Sequence, residues 1–278
     1  MSKKQGLIAL DIDGTLTDGS RLIPDQVVNY LHGLHDSGWQ IALITGRMYS
    51  FAKRAIANMN FPYYLGIQNG ADILSMPEEK RIDRAYLQDG ILDHLDQLYT
   101  DLETDYLIYS GYEKGDFCYW RPEKFPEQMH PYLDKLQKLS DAPWQKRNGI
   151  DSPFPLIKCV GSYASMHPIE EKLQGYPGIA TSLISDPVSD GFYHLILITH
   201  ELGQKGGALK RIAKLCDIKG PIIAAGDDAN DIPMFKEADI AIVMGGAPEH
   251  VTAHGTIMAP PSTEMGIISG IEQALLQC

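Results

Sequence analysis

Five short apolar runs lie in the two end regions of this chain, at residues 6–10, 40–44, 63–67, 221–225 and 239–244. Each has the length and composition of a strand that is buried on both faces. Amphipathic stretches with apolar residues at helical spacing separate them, and one such stretch begins at Pro24 and ends near Gly38. Strands that alternate with helices in this way predict an α/β fold with a parallel sheet.

The middle of the chain has a different order of elements. The pattern there predicts a helix, two strands, a helix and a strand, near residues 91–102, 106–110, 116–121, 127–139 and 156–163. This α+β order interrupts the alternation of strands and helices. We therefore predict a discontinuous core, residues 1–80 and 191–278, and an inserted α+β domain, residues 81–190.

Two carboxylates stand where the first apolar run ends. Asp11 and Asp13 belong to the segment Asp-Ile-Asp-Gly-Thr-Leu-Thr-Asp, residues 11–18. Side chains two positions apart on a strand point the same way, and open α/β sheets bind ligands at the carboxyl ends of their strands. Carboxylates held this close repel each other unless a cation, a phosphate-bearing complex or a shared proton separates them. A polar turn would explain the segment equally well if it stood alone.

Three further segments place polar side chains at the ends of predicted elements. The second strand leads into Thr45, Gly46 and Arg47, and the fourth strand ends in Gly-Asp-Asp-Ala-Asn-Asp, residues 226–231. Lys205 opens an amphipathic helix, where a lysine opposes the helix dipole unless an anion lies nearby. Acids that suit a metal, combined with Thr, Arg and Lys for an anion, indicate a site for phosphoryl transfer.

In this order the four segments resemble the motifs of the haloacid dehalogenase superfamily of aspartate-nucleophile phosphatases. The resemblance extends from residue 11 to residue 231 and implies a Rossmann-like, doubly wound parallel sheet as the core. The insertion between Asn69-Gly70-Ala71 and Lys205 looks like the C2-type cap of the Cof-type, class IIB phosphatases. Such a cap is expected to act as a lid that selects the substrate.

The resemblance implies a role for each matching residue. Asp11 would be the nucleophile that becomes phosphorylated, and Asp13 would be the general acid and base. Thr45 and Lys205 would hold the phosphoryl oxygens as part of the catalytic set. Asp227 would complete a Mg²⁺ site together with Asp11 and the backbone carbonyl of Asp13.

Other residues are predicted to support this set. Asp228 and Asp231 are expected to support the metal site, and Asn230 is expected to help position the phosphate. The full set of predicted phosphate or substrate contacts is Thr45, Gly46, Arg47, Asn69, Lys205 and Asn230. The Asn69-Gly70 pair is also a typical tight turn, which is a simpler explanation for that position.

Aromatic side chains are frequent in the inserted domain. Six of them lie in one hairpin-like stretch, residues 106–120. Alternating aromatics favour packing on a half-buried sheet, but one or two could stack on a sugar or a heterocycle. Asp116 and Arg121 would then be the polar partners of the ligand.

Composition and charge limit the classes of partner that the protein is expected to bind. No apolar run reaches the length of about 18 residues that a membrane span requires. The four cysteines are widely separated and form no Cys-x-x-Cys pair, which is typical of reduced thiols and of a cytoplasmic protein. Residues 81–190 carry eleven Lys or Arg and eighteen Asp or Glu, so a polyanion such as nucleic acid would be repelled.

The sequence therefore predicts a cytoplasmic, Mg²⁺-dependent phosphatase, monomeric or homodimeric, that acts on a small phosphomonoester, with a sugar phosphate preferred. A phosphomutase similar to phosphomannomutases is the nearest alternative, because a sugar hydroxyl could replace water as acceptor. A signalling receiver is disfavoured because Asp13 supplies an acid and base. A regulator that binds a phosphometabolite without catalysis is disfavoured because every required acid is present.

Overall fold

The computed structural model of the chain describes residues 5–17, 22–88, 90–140, 143–149 and 153–278, so Asp18 of the acidic segment lies outside the described residues. The strands are β1 (Leu7–Leu10), β2 (Gln40–Ile44), β3 (Tyr63–Ile67), β4 (Asp72–Met76), β5 (Lys80–Arg84), β6 (Tyr106–Tyr109), β7 (Cys118–Trp120), β8 (Trp144–Lys146), β9 (Leu156–Gly161), β10 (Ile179–Ser185), β11 (His194–His200), β12 (Ile222–Gly226), β13 (Ile240–Met244) and β14 (Ile257–Ala259). The α-helices are α1 (Asp25–Asp36), α2 (Tyr49–Ala55), α3 (Gly90–Leu98), α4 (His130–Ser140), α5 (Tyr163–Leu173), α6 (Lys205–Leu215), α7 (Ile232–Phe235), α8 (Glu249–Thr252) and α9 (Ile267–Leu275). Among the described helices, none has the length and apolarity to cross a membrane.

The described residues form two compact units. The first contains the chain up to Arg47 together with residues 52–84 and 204–278, and the second contains residues 48–51 and 85–203. The boundaries predicted at residues 80 and 191 therefore differ from those of the units. The reason is strand pairing, because β5 pairs with β4 of the first unit whereas β11 pairs with β9 and β10 of the second.

The first unit contains an eight-stranded sheet with the order β14-β13-β12-β1-β2-β3-β4-β5. Strand β1 lies at its centre and pairs in parallel with both β2 and β12. Because the carboxyl ends of parallel strands meet at one edge of a sheet, the residues that follow these three strands come together. Helix α6 packs its apolar side against this sheet, where Ala208 and Leu209 join the buried cluster around Ala9.

One edge of this sheet differs from the predicted parallel arrangement. The parallel pattern extends from β14 to β3, but β3, β4 and β5 pair with one another in antiparallel fashion. The turn that makes this possible contains Asn69 and Gly70, whose φ angles of 59° and 89° are both left-handed. Such an added antiparallel edge is common on otherwise parallel sheets.

The second unit is built on a six-stranded sheet with the order β10-β11-β9-β6-β7-β8. Side chains from α3 and α5 join one buried cluster with β6, β9 and β11, and include Leu95 and Met166. Side chains from α4, such as Leu133, join a second cluster that contains Leu107 and Leu195. Helices packed on a largely antiparallel sheet match the predicted α+β character of the insertion.

Candidate active site

The carboxyl ends of β1 and β12 bring three carboxylates together. One carboxylate oxygen from each of Asp11, Asp227 and Asp231 lies within 4.8 Å of the other two. The sheet fixes this arrangement, because the backbone N–H of Asp11 donates to the carbonyl of Ala225 in β12 at 2.9 Å. Hard oxygen donors at this spacing fit Mg²⁺, which takes few carboxylates and keeps several waters.

Gly14 allows these acids to approach each other. Its φ of +72° is left-handed, and a Cβ atom at this position would lie 2.1 Å from the Oδ2 atom of Asp227. Any other residue would strain the turn and displace the Asp227 carboxylate. From sequence Gly14 was predicted only as part of a turn, because no local signal indicates which distant residue a turn approaches.

Lys205 lies in the middle of the acid cluster. Its Nζ atom is buried and donates to Oδ1 of Asp11 and to Oδ1 of Asp231, at 2.6 Å in each case. Lys205 is also the first residue of α6, where its charge opposes the helix dipole. The two carboxylates therefore supply the anion that the sequence analysis expected near this position.

Burial controls the electrostatics of the cluster. Burial raises the pKa of Asp11 above its ordinary value, although the nearby Lys205 ammonium opposes the increase. Burial, with a further contribution from Asp231, raises the pKa of Asp227 to about 7. Burial favours a lower pKa for Lys205, but the charges of Asp11 and Asp231 raise it overall, which keeps the ammonium protonated. When all three carboxylates are ionised, their negative charge is larger than the single positive charge of Lys205. A bound cation would therefore stabilise their ionised forms.

Asp231 organises the loop that follows β12. Its Oδ2 atom accepts the backbone N–H groups of Asp227 at 3.0 Å and of Asp228 at 3.1 Å, while Oδ1 accepts from Lys205. Asp228 in turn caps the next turn by accepting the N–H of Ala229 at 2.7 Å. Both carboxylates thus hold the backbone of this loop, and the support of a metal site by Asp228 and Asp231 stays a prediction.

Asp13 and Arg47 form a two-pronged ion pair. Arg47 donates from Nε to Oδ2 of Asp13 at 2.7 Å and from Nη2 to Oδ1. The guanidinium is nearly buried, whereas more than half of the Asp13 side chain is exposed. This geometry fixes the orientation of the Asp13 carboxylate. Arg47 was predicted as a phosphate contact, which stays a prediction, and the structure adds its contact with Asp13.

Thr45, Asn69 and Asn230 come together from three different strand ends. The backbone N–H of Asn69 donates to the carbonyl of Thr45 at 2.8 Å, and Nδ2 of Asn230 donates to Oδ1 of Asn69 at 3.3 Å. Thr45 Oγ1 accepts the N–H of Arg47 at 3.1 Å. A Cβ atom at Gly46 would lie 3.3 Å from the Asn69 side chain. Five of the six predicted phosphate contacts therefore lie next to one another, and their binding of phosphate stays a prediction.

Gln68 is a residue of this site that the sequence analysis missed. Its backbone N–H donates to the carbonyl of Arg47 at 2.8 Å, next to the bond between Asn69 and Thr45. Gln68 and Asn69 both have left-handed φ angles, 50° and 59°, which are uncommon for residues other than glycine. Two such bonds hold the loop of Thr45 and Arg47 in place. Nothing local in the sequence indicates this role.

A family model shows to which family of proteins the chain belongs. The model of haloacid dehalogenase-like hydrolases matches residues 8–271 of the chain. The chain belongs to this family. The family predicted from the motifs and the Rossmann-like α/β core with an inserted cap are both confirmed.

Relatives of this family member are named as phosphatases. The 5-amino-6-(5-phospho-D-ribitylamino)uracil phosphatase YcsE of Bacillus subtilis is 25% identical over 272 residues, which cover 97% of this chain and 96% of the relative. Phosphatase YwpJ of the same organism is 24% identical over 289 residues, which cover 94% and 96%. The crystal structure of a haloacid dehalogenase-like hydrolase from Bacteroides thetaiotaomicron matches with a TM-score of 0.74 and 22% identity, over 98% of this chain and 100% of that one. The chain is a phosphomonoester hydrolase of this family.

In the second unit, the side chains proposed from sequence as ligand partners contact other protein groups. Arg121 donates to Asp105 at 2.7 Å and 2.6 Å and to Asp96 at 2.8 Å, and its guanidinium lies 5.1 Å from the ring centre of Tyr106. Asp116 accepts the N–H of Ser50 at 3.2 Å. Arg121 therefore has a structural role within this unit, as expected for most residues of the aromatic stretch.

A large open cavity of about 1160 Å³ occupies the opposite edge of the first unit's sheet. Its lining includes Gln5, Trp39 and Pro221, which lie one or two residues before β1, β2 and β12, together with Cys216 and Leu275. None of the acids of the cluster lines it. The volume of this cavity therefore does not indicate where the candidate active site lies.

Proposed function

We propose that the chain is a Mg²⁺-dependent phosphatase that hydrolyses a small phosphorylated metabolite, a sugar phosphate, through an aspartyl phosphate on Asp11. One observation carries the proposal, the buried Lys205 ammonium that joins Asp11 and Asp231 beside Asp227. This arrangement combines a carboxylate nucleophile, a cation for the phosphoryl oxygens and ligands for a metal. The name of the relative YcsE, a phosphatase of a phosphoribityl compound, supports a phosphorylated sugar-like chain as substrate.

The first chemical step that we propose takes place at Asp11. A carboxylate oxygen of Asp11 attacks phosphorus, the ester bond breaks, and the phosphoryl group is left on Asp11. Lys205 and the groups gathered around Thr45 and Asn230 would hold the phosphoryl oxygens in line for the attack. Arg47, Gly46 and Asn69 stay candidates for further phosphate contacts.

The acid cluster fits a resident Mg²⁺ ion. Asp11, Asp227 and the backbone carbonyl of Asp13 would hold it, and Asp228 and Asp231 would position these ligands. Asp231 has a supporting role because both of its oxygens already accept hydrogen bonds. A bound Mg²⁺ ion withdraws charge from the phosphoryl oxygens and offsets the repulsion between the carboxylates.

Asp13 is the proposed general acid and base. It would give a proton to the departing alkoxide and then remove a proton from the water that hydrolyses the phosphorylated Asp11. Its partly exposed carboxylate suits this exchange with a leaving group and with water. Arg47 would set its direction through the two-pronged contact.

Arg47→Lys should reduce catalysis in a way that depends on the leaving group, because lysine keeps the charge but loses the planar fork that orients Asp13. We expect kcat/KM for alkyl phosphates to fall by about 10²-fold, and for 4-nitrophenyl phosphate by less than about tenfold, since this leaving group needs little protonation. Steady-state kinetics with both esters measure the difference, with Arg54→Lys on the neighbouring helix as control. Equal losses for the two esters would instead assign Arg47 to phosphate binding alone.

Phosphate release from a panel of phosphorylated metabolites tests the proposed function as a whole. Turnover should require Mg²⁺, should stop when the ion is chelated, and should yield inorganic phosphate in stoichiometric amounts without a bisphosphate activator. A sugar phosphate or sugar-alcohol phosphate should give the highest kcat/KM. Accumulation of isomeric sugar phosphates without free phosphate would establish a mutase, and activity that persists without Mg²⁺ would contradict the proposed metal requirement.

We propose further that the second unit selects the ester and that the protein acts on small molecules in the cytoplasm. The second unit is inserted between segments that supply phosphate contacts, since it occupies most of the chain between Arg47 and Lys205. Cys118, Cys159 and Cys216 are free and buried, as reduced cytoplasmic thiols are.

A further inference from the structure

A lysine stands at the centre of the second unit's sheet, where apolar residues are expected. Lys158 lies in the middle of β9, between β6 and β11. Its neighbours across the two strands are Leu107 and Leu197, which share its face of the sheet. The same face carries the buried cluster that contains Tyr109 and Val160. Lys158 as a whole is half-buried, and burial is the main influence on the pKa of its ammonium.

The charge of Lys158 has no counter-ion among the described residues. In that part of the chain its side chain forms neither a hydrogen bond nor an ion pair, and its Nζ atom lies 5.5 Å from the ring centre of Tyr109. The acid that influences its pKa is Asp186, which is buried and accepts the backbone N–H of Ser189 at 3.0 Å. Burial lowers the pKa of Lys158, and the charge of the Asp186 carboxylate only partly opposes this.

A desolvated ammonium that lacks a hydrogen-bonded anion costs free energy, and an apolar side chain of similar length would avoid that cost. A cation–π contact with one tyrosine compensates for part of the lost hydration. An anion would compensate for more, because its attraction to the ammonium is strong where water is scarce. The position therefore has the properties of an anion-binding site whose anion is not part of the protein.

We propose that Lys158, with the ring of Tyr109 beneath its ammonium, binds an anionic oxygen group, a phosphate or a carboxylate, on the second unit. The chemistry proposed at Asp11 does not require this site. Two sources can supply the same group. It belongs either to a substrate that carries a second anionic group in addition to its reacting phosphate, or to a free anion that binds as an effector. Only the first of these sources rests on the proposed function.

Thermal unfolding tests the site without any turnover. Wild type, Lys158→Met and the control Lys172→Met, an exposed lysine of α5, are each heated without Mg²⁺ in inorganic phosphate and in chloride of equal ionic strength. Phosphate should raise the Tm of wild type and Lys172→Met by about 2–4 °C more than that of Lys158→Met. In chloride, Lys158→Met should unfold at or above the wild-type Tm, because it removes a desolvated charge. The catalytic site is intact in all three proteins, so phosphate bound there affects them equally.

Kinetics then identify the source of the anion. Two substrates are compared that differ only by a second phosphate or a carboxylate. If the anion belongs to the substrate, Lys158→Met should lower kcat/KM for the doubly anionic ester by about tenfold or more and leave the singly anionic one nearly unchanged. If Lys158→Met reduces the phosphate effect on Tm but leaves this kinetic ratio at the wild-type value, the anion is a separate effector.

The proposal is overturned if Lys158→Met changes neither the phosphate effect on Tm nor the kinetic ratio. Should Lys158→Met fail to fold, Lys158→Arg and Lys158→Gln decide by the same two measurements. Arginine keeps the charge and should preserve both effects, whereas glutamine should lose at least one. If no compound in the panel of phosphorylated metabolites is hydrolysed, the proposed function is refuted. The Tm measurement does not depend on turnover, so it still decides whether Lys158 binds an anion.

Discussion

Asp11→Asn should lower kcat by about 10³-fold or more while the protein stays folded, because an amide neither attacks phosphorus nor binds Mg²⁺ as a carboxylate does. Asparagine has nearly the same shape as aspartate, and Asp231 still accepts from Lys205 in the variant. The expected result is therefore a folded protein with a largely inactive site. Circular dichroism and Tm check that the variant is folded, and steady-state kinetics on a good substrate measure the loss of kcat.

Asp72→Asn is the matched control for this variant. Asp72 is also a buried aspartate of the first unit's sheet, but it lies in β4 and outside the acid cluster. Its replacement should leave kcat of the folded protein near the wild-type value, whatever it does to stability. If Asp11→Asn kept turnover within tenfold of wild type, Asp11 would not be the nucleophile. Mass spectrometry of protein quenched during turnover should also find the added phosphoryl group on Asp11 in wild type.

Lys205→Ala should lower kcat/KM by about 10²–10³-fold for every phosphate ester alike, since each substrate presents the same phosphoryl group and loses the same charge-assisted contact. It should also destabilise the protein, because its two buried partners, Asp11 and Asp231, lose their shared ammonium. Removing one member of a buried, hydrogen-bonded ion pair typically costs about 3–5 kcal/mol. Urea unfolding without Mg²⁺ measures this cost, and added Mg²⁺ should restore part of it.

Lys214→Ala provides the comparison on the same helix. Lys214 lies near the end of α6 and is exposed, so its replacement should change neither kcat/KM nor the free energy of unfolding appreciably. A Lys205→Ala effect that varied strongly from ester to ester would show that Lys205 contacts a variable part of the substrate. An unchanged free energy of unfolding would contradict the role of its ammonium in holding Asp11 and Asp231.

The residues at the ends of β1, β2 and β12 could be located from sequence because their signals are local. An apolar run marks a buried strand, and the polar residue after it marks the edge at which parallel strands bind ligands. Asp11, Thr45 and Asp227 were selected in this way. In the structure β1 pairs with both β2 and β12, and the carboxylates of Asp11 and Asp227 lie close together. The start of α6 at Lys205 follows from helical spacing in the same manner.

Pairings between distant parts of the chain could not be read from such local signals. Strand β11 was predicted to belong to the core, but its pairing with β9 and β10 places it in the second unit. The first core segment was predicted to end at residue 80, but β5 pairs with β4 and extends that segment to Arg84. A strand has the same alternation of side chains whichever sheet accepts it, so its partner is decided by the packing of the whole chain.

The amino-acid sequence was sufficient to define the α/β class and the inserted α+β domain, and to select the side chains proposed for the reaction centre, because periodicity and strand ends are properties of short segments. The contact of Arg47 with Asp13, the three hydrogen bonds of Asp231 and the close approach of Gly14 to Asp227 required the folded structure. The position of Lys158 between Leu107 and Leu197 required it too. Each of these depends on distances between residues far apart in the chain, and such distances exist only once the strands have paired and the side chains have packed.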